Sequence, residues 1–259
     1  MTAAPDDAPG QLVFERRSAM PVAAAELFAW HLRPGAFERL VPPGDGTRVV
    51  HRSGSIETNS MRVELSVPVL GPVRQRWMIR HEGYVPDACF ADVMERGPFP
   101  AWRHEHRAIA LDDTHSELHD HIVYDLPLGA LGRFAGRPIV ELKLAPMFTH
   151  RHAVTRDDLA AHAAAGLAPL RIELVDPHGS RAMTQLAAFL LTGGHEVSGD
   201  VDIVGHEQGE PPAADIRIVS AATGLDIERV GAASMHLELS GDAVADPRRV
   251  LAALAAQFA

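Results

Sequence analysis

A chain of 259 residues, 46% hydrophobic and with a mean hydropathy of −0.03, has enough apolar material for one large or two modest packed domains. Its net charge of −10, with no basic run, argues against non-specific binding of nucleic acid. The single cysteine, Cys89, excludes an intramolecular disulfide and a cysteine-rich metal site, and no apolar run reaches the roughly eighteen residues of a membrane span. The start lacks a basic and then apolar leader, so a cytoplasmic protein is expected. Lys143 is the only lysine among 24 Lys and Arg residues, a bias that suggests a GC-rich bacterial genome.

Residues 1–10 read as a flexible tail. Residues 12–17 alternate as a first strand. Leu27, Phe28, Trp30 and His31 then cluster at helical spacing until Pro34-Gly35 breaks the pattern, and residues 36–40 make a second short helix. Strands follow at 47–52, 61–67, 73–81, 89–95, 102–111 and 116–126. The cleanest alternation sets Met61, Val63, Leu65 and Val67 against Arg62, Glu64 and Ser66. In the strand at 73–81, Gln75, Trp77, Ile79 and His81 share a side. Even spacing and hairpin-like turns predict one curved antiparallel sheet. Residues 127–136 read as a Gly-rich loop. From Pro138 the period becomes helical and runs to Ala165, with Pro146 expected to kink or interrupt it. Strand, two short helices, six strands and a long helix make a helix-grip arrangement. A sheet curved around a helix leaves a cavity suited to apolar or amphipathic small molecules.

Residues 90–124 hold the chemistry. A two-residue loop near Asp112 would pair His104 with His121 and His106 with His119. A three-residue loop, Asp112-Asp113-Thr114, pairs Leu111 with His115, Trp102 with Tyr124, His104 with Ile122, His106 with Asp120 and Ala108 with Leu118. The second register separates an apolar face from a charged one carrying Arg103, Glu105, Arg107, Glu117, His119 and His121, and is favoured. It places His104, His106 and Asp120 among aromatic neighbours. They would act as a polar spot in a ligand cavity, with Asp120 orienting His106 for proton transfer, or as a buried trio that satisfies itself. His-x-His on a strand also aims two imidazoles to one side, but no third and fourth ligand is evident, so no metal is expected.

LFAWHLRPGAFERLVPP, F-x-D-x-x-x-x-GPF, W-x-H-x-H and D-x-x-x-Y-x-L-P resemble the START-like SRPBCC superfamily, in the branch labelled cyclase/dehydrase, over roughly residues 11–160. The resemblance implies a hydrophobic pocket lined by Phe28, Trp30, Trp77, Phe90, Asp92, Phe99, Trp102, His104, His106, Asp120, Tyr124, Met147 and Phe148.

After a linker at 166–169 a second unit opens. Residues 170–175 read as a buried strand, 180–191 as an amphipathic helix stopped by Gly193-Gly194, and His195-Glu196-Val197 as the start of the next strand. This βαβ opening, TGGHEV above all, resembles the Rossmann segment of NAD-dependent epimerase/dehydratase-like proteins of the short-chain dehydrogenase superfamily. The turn at 176–183 has only Gly179. Asp176 puts negative charge where a phosphate would sit, and Pro177 lacks an N–H. No Tyr-x-x-x-Lys pair follows, so no dinucleotide cofactor is expected. Short strands are predicted at 201–204, 216–219 and 235–239, with a loop at 209–214 and a last helix at 248–258 entered through Asp246-Pro247.

The expected fold class is α+β: a helix-grip domain at 11–165, then a small, degenerate Rossmann-like α/β unit at 166–259. The first expectation for function is binding of a hydrophobic or aromatic small molecule of lipid, polyketide or isoprenoid type, with a homodimer possible. Two alternatives are a cyclase/dehydratase-type enzyme using His106 and Asp120 as acid and base, and an interaction module built on the second unit.

Overall fold

A computed structural model describes residues 11–177, 179–200, 203, 214–221, 224–229, 234–240, 242 and 246–258. The tail at 1–10, most of the strand expected at 201–204 and most of the loop at 209–214 lie outside the described residues. The chain divides into two compact units, residues 1–28 with 44–152, and residues 29–43 with 153–259. Its elements run β1 (Leu12–Met20), α1 (Ala24–Leu32), α2 (Ala36–Leu40), β2 (Arg48–Ser53), β3 (Arg62–Leu70), β4 (Val73–Val85), β5 (Cys89–Arg96), β6 (Ala101–Ala110), β7 (Ser116–Asp125) and α3 (Gly129–Ala165). There follow β8 (Arg171–Val175), α4 (Arg181–Thr192), β9 (Glu196–Gly199), β10 (Ile216–Ser220), β11 (Gly224–Arg229), β12 (Met235–Glu238) and α5 (Asp246–Phe258).

The first unit is built on a seven-stranded antiparallel sheet in the order β1-β7-β6-β5-β4-β3-β2. The β6–β7 turn uses the three-residue loop. Leu111 N–H donates to His115 O at 3.0 Å, and Asp112 Oδ1 accepts from the N–H groups of both Thr114 and His115 at 2.7 Å. That side-chain turn closes the hairpin with Trp102 opposite Tyr124, His104 opposite Ile122 and His106 opposite Asp120. The opposite face is less wet than its composition suggests, because Glu105, His119 and His121 are buried. Glu105 accepts from Arg103 at 2.9 Å and Arg107 at 2.8 Å, and the stems of such long side chains cover their neighbours.

The early part of α3 packs on the inner face of this sheet. Leu144 and Phe148, flanked by Val140 and Met147, join Ile122, Tyr124 and Leu126 in one core, at the i, i+4, i+7, i+8 spacing of a buried helix stripe. Helix and sheet together make the helix grip. Two expectations for this helix change. Residues 129–136 are its first turns rather than a loop. A Cβ on Gly132 would lie 1.7 Å from Pro127 O, and one on Gly136 would lie 2.9 Å from Leu126 Cδ1, so these glycines permit close approach of the helix to the chain leaving β7. Nor does Pro146 interrupt the element: α3 is continuous through Pro138 and Pro146. The carbonyls these prolines leave without a helical donor belong to Phe134 and Leu142, which are 86% and 77% exposed and so open to water.

The second unit has a mixed five-stranded sheet in the order β12-β11-β10-β8-β9. β8 is parallel to β9 and to β10, with α4 as the first crossover, whereas β10, β11 and β12 form an antiparallel meander. The sheet thus begins as a βαβ unit and departs from the parallel pattern at β11, a strand the sequence reading did not anticipate. Ser180 caps α4 by accepting Met183 N–H, and the face of α4 from Met183 to Leu191 packs with Ile172, Leu174, Ile216, Ile218, Leu251 and Leu254. Arg39 of α2 lies within the same unit. Its guanidinium grips Asp158 with two bonds of 2.8 and 2.9 Å, both side chains fully buried, and Arg248 Nε reaches Asp158 at 2.8 Å. Gly35, at φ +88°, lets this segment pass against α4, where a Cβ would stand 2.6 Å from Ala188 Cα.

Candidate functional site

The register of the first sheet draws polar side chains into adjacent rows on its inner face. One row runs His81, Asp92, His104, Ile122 and Phe14 across β4, β5, β6, β7 and β1. The next sets Phe90, His106 and Asp120 side by side. Period-two alternation puts His104 and His106 on the same face of β6, with ring centroids 3.8 Å apart. His152 reaches the group from α3, one helical turn beyond Phe148.

Asp120 is the hub. Its Oδ1 lies 2.9 Å from His104 Nε2 and 2.9 Å from His106 Nδ1, and its Oδ2 accepts from His152 Nε2 at 2.7 Å. Asp92 is a second hub. Its Oδ1 lies 2.9 Å from His81 Nε2, and its Oδ2 lies 3.2 Å from His106 Nε2 and 3.9 Å from His104 Nδ1. The pairing expected between His106 and Asp120 is thus part of a wider net that also holds His81, Asp92, His104 and His152.

The electrostatics split the two strand imidazoles. Burial and the neighbouring charge of His106 push His104 down to about 4, against which Asp120 pulls only partly. Burial also works against charge on His106, but the two carboxylates outweigh it and lift His106 to about 9. Burial would raise Asp92 and Asp120, yet the surrounding histidines hold both well below the usual carboxylate range. Around neutral pH the net therefore holds two carboxylates, a neutral His104 and a cationic His106. Arg151, its guanidinium 5.2 Å above the Phe148 ring, is lowered by burial, and Asp120 and Asp92 offset that in part.

Aromatic side chains border the net. Phe148 stands edge-on to His104 at 5.2 Å and 5.3 Å from Phe14. Phe90 stacks on His106 at 4.6 Å and lies 6.1 Å from Phe28. Phe99 collects Trp77, Trp102 and Tyr124 at 6.1, 4.9 and 6.0 Å. Met147 packs against the core containing Tyr124 and Phe148. Trp30 is fully buried in the second unit, edge-on to His31. The Tyr124 hydroxyl, His81 Nδ1 and His152 Nδ1 are buried and meet no protein partner among the described residues. His81, Arg151 and His152 were not singled out as site residues. The alternation of β4 signalled His81, and the i+4 spacing from Phe148 signalled His152.

Asp92, His104 and His106 also bring three donor atoms within 4.8 Å of one another. The sequence reading counted two donors on β6; pairing of β5 with β6, which sets Asp92 opposite His104, supplies the third. In the second unit the turn before α4 holds the chain's own anion. Asp176 is buried, accepts Ser180 N–H in a short bond and accepts Ser220 Oγ–H at 2.9 Å. His178 of that turn lies outside the described residues.

No protein-family model matches the chain. No curated protein matches it. Among solved structures it is similar to the nucleoside-diphosphate sugar epimerase from Corynebacterium glutamicum, with a TM-score of 0.60 and 22% identity over 82% of this chain and 46% of that one. The chain therefore spans about half the length of that epimerase, and the likeness is one of fold. It also matches the Zhui aromatase/cyclase from Streptomyces sp. R1128, with a TM-score of 0.48 and 15% identity over 61% of this chain and 99% of that one. A norcoclaurine synthase from Thalictrum flavum follows at 0.47 and 10%, over 59% and 96%. No helix among the described residues is long and apolar enough to cross a membrane.

Proposed function

We propose that the first unit binds a hydrophobic or aromatic small molecule, of lipid, polyketide or isoprenoid type, between its sheet and α3. The aromatic side chains supply apolar contact, and the histidine–aspartate net orients a polar group of the ligand. One observation carries this reading. Phe148 touches the aromatic wall through Phe14 and the polar net through His104, so apolar and ionisable surfaces form one continuous face. The unpartnered Tyr124 hydroxyl is a further polar group available to a ligand. Native mass spectrometry of freshly purified protein, with a solvent extract analysed beside it, tests the reading. A small molecule of defined mass, released on denaturation, is the expected result. Protein that stays empty after incubation with an extract of its host counts against it.

A second reading rests on His104 and His106 sharing Asp120 Oδ1. A neutral imidazole beside a cationic one, on one carboxylate, is the arrangement that general acid–base chemistry needs, as in cyclisation or dehydration. In an enzyme, His106→Ala and Asp120→Asn abolish turnover while ligand is retained. In a carrier the same changes alter affinity alone.

A further inference from the structure

We infer that Asp92, His104 and His106 form a binding site for a divalent first-row transition-metal ion of the zinc, cobalt or nickel kind, held by one carboxylate oxygen and two imidazole nitrogens. The inference stands apart from the ligand proposal, since it concerns the ligand-free protein.

The donor atoms come first. Asp92 Oδ2 lies 3.2 Å from His106 Nε2 and 3.9 Å from His104 Nδ1. An ion with bonds of about 2.1 Å holds its ligands about 3.0–3.4 Å apart. Of the three pairs, one already has that spacing, a second closes with a shift of roughly half an ångström, and all three donors lie within 4.8 Å of one another. All three residues sit on paired strands, β5 and β6, which are rigid supports for a metal site.

The surrounding bonds then decide which atoms face the ion. A carboxylate only accepts hydrogen bonds. Asp120 Oδ1, hydrogen-bonded to His104 Nε2 at 2.9 Å, therefore places the proton of neutral His104 on that nitrogen. It lies equally close to His106 Nδ1, the nitrogen that keeps its proton when an ion replaces the one His106 Nε2 shares with Asp92 Oδ2. His104 Nδ1 then carries a lone pair, and His106 Nε2 offers one once the ion displaces its proton; these are the two nitrogens on the Asp92 side. His81 Nε2 lies 2.9 Å from Asp92 Oδ1, so Oδ2, the oxygen nearer the β6 imidazoles, is the one an ion would take. His152 anchors the other oxygen of Asp120 at 2.7 Å. Metal-bound histidines commonly donate their second N–H to a carboxylate in this way, which fixes tautomer and ring orientation. Here one carboxylate serves both rings.

Charge and donor type narrow the ion. Asp120 is buried and Asp92 half-buried, and a divalent ion that displaces the His106 proton balances the charge of the two carboxylates. Two nitrogens and one oxygen favour zinc, cobalt or nickel over magnesium or calcium, which prefer all-oxygen sites. Three protein ligands leave at least one coordination position for water or another ligand.

Cobalt(II) titration of the metal-depleted full-length protein, followed by visible absorption, tests the site. The expected result is one equivalent bound, with d–d bands that one equivalent of zinc abolishes and excess magnesium does not. Asp92→Asn and His104→Ala each weaken binding at least tenfold. Asp120→Asn, a change at a positioning residue, weakens it about 10- to 100-fold, and the exposed His51→Ala does not change it. Bands that persist in the Asp92→Asn/His104→Ala double variant, a thiolate-to-cobalt band marking Cys89, or no stoichiometric binding would each overturn the assignment. Should the variants fail to fold, X-ray absorption of the zinc-loaded wild type decides: two imidazoles in the coordination shell support the site, and any other number overturns it.

Discussion

His104 and His106 share a carboxylate oxygen, yet they titrate on opposite sides of an ordinary histidine, and stability follows with opposite signs. His106, lifted to about 9, keeps in the folded state a proton that the unfolded chain has lost above 6.5. Its contribution is complete below pH 6.5 and is lost as pH rises toward 9. His104, lowered to about 4, stays neutral in the folded state where the unfolded chain takes up a proton. Its contribution is complete above pH 6.5 and is lost as pH falls toward 4, and His162 of the second unit, pushed by burial to about 4, adds to that limb. The metal-free protein is thus expected to be most stable near pH 6.5, with an alkaline limb on the order of 3 kcal/mol and an acid limb, fed by two histidines, about twice as large. Denaturant midpoints measured across pH 5–9 check this, and His106→Gln should flatten the alkaline limb and, by removing a charge that depresses His104, soften the acid one. Tyr124→Phe should leave stability unchanged or raise it by about 1 kcal/mol, because the lost hydroxyl has no partner among the described residues. If that hydroxyl serves the ligand, the same variant binds more weakly in an affinity measurement. The sequence revealed much of this site, because alternation and one turn length decide the face of His104, His106 and Asp120. It did not reveal the breadth of the net. Asp92 and His81 arrive through pairings of β4, β5 and β6, and the β4–β5 register depends on one irregularity in β4 and one in β5 that no local pattern announces.

At the scale of elements, the buried Arg39–Asp158–Arg248 cluster ties α2, α3 and α5 together inside the second unit. Asp158→Ala would leave the fully buried Arg39 uncompensated and should cost about 3–5 kcal/mol in chemical denaturation. The start of α3 makes a different prediction. Gly132→Val places branched carbon against Pro127 O and should unravel the first turns of the helix, read as lost amide protection there while residues after 140 stay protected. This helix also shows where local reading fails. Glycine and proline are ordinarily loop markers, but at 129–138 the glycines make room for packing and the prolines leave only exposed carbonyls bare. The β6–β7 hairpin is the converse case. Asp112 supplies its turn from its own side chain, so a local signal was sufficient there.

At the scale of the whole molecule, the second unit includes residues 29–43 as well as the C-terminal part of the chain. A chain cut after residue 165 would keep α2 but lose Gln185, which donates to Glu38 O at 3.1 Å, and Phe189, whose ring faces Arg39 at 5.4 Å. Such a chain should aggregate on size-exclusion chromatography where the full chain elutes as one species. A monodisperse cut chain would show that α2 needs no such cover.

The order of strands in the first sheet has a consequence for how the protein is made. Every neighbouring pair from β2 to β7 is consecutive in sequence, so those strands can zip as hairpins while the chain leaves the ribosome. β1 alone must wait, because Leu12 pairs with Tyr124 and Met20 with Ser116. Closing so long a loop comes late in folding. Weakening β1, by Phe14→Ala for instance, should therefore speed unfolding and leave the refolding rate nearly unchanged. A strand that is synthesised first and docked last is also the one that crowded nascent chains can exchange, β1 of one copy pairing with β7 of the next.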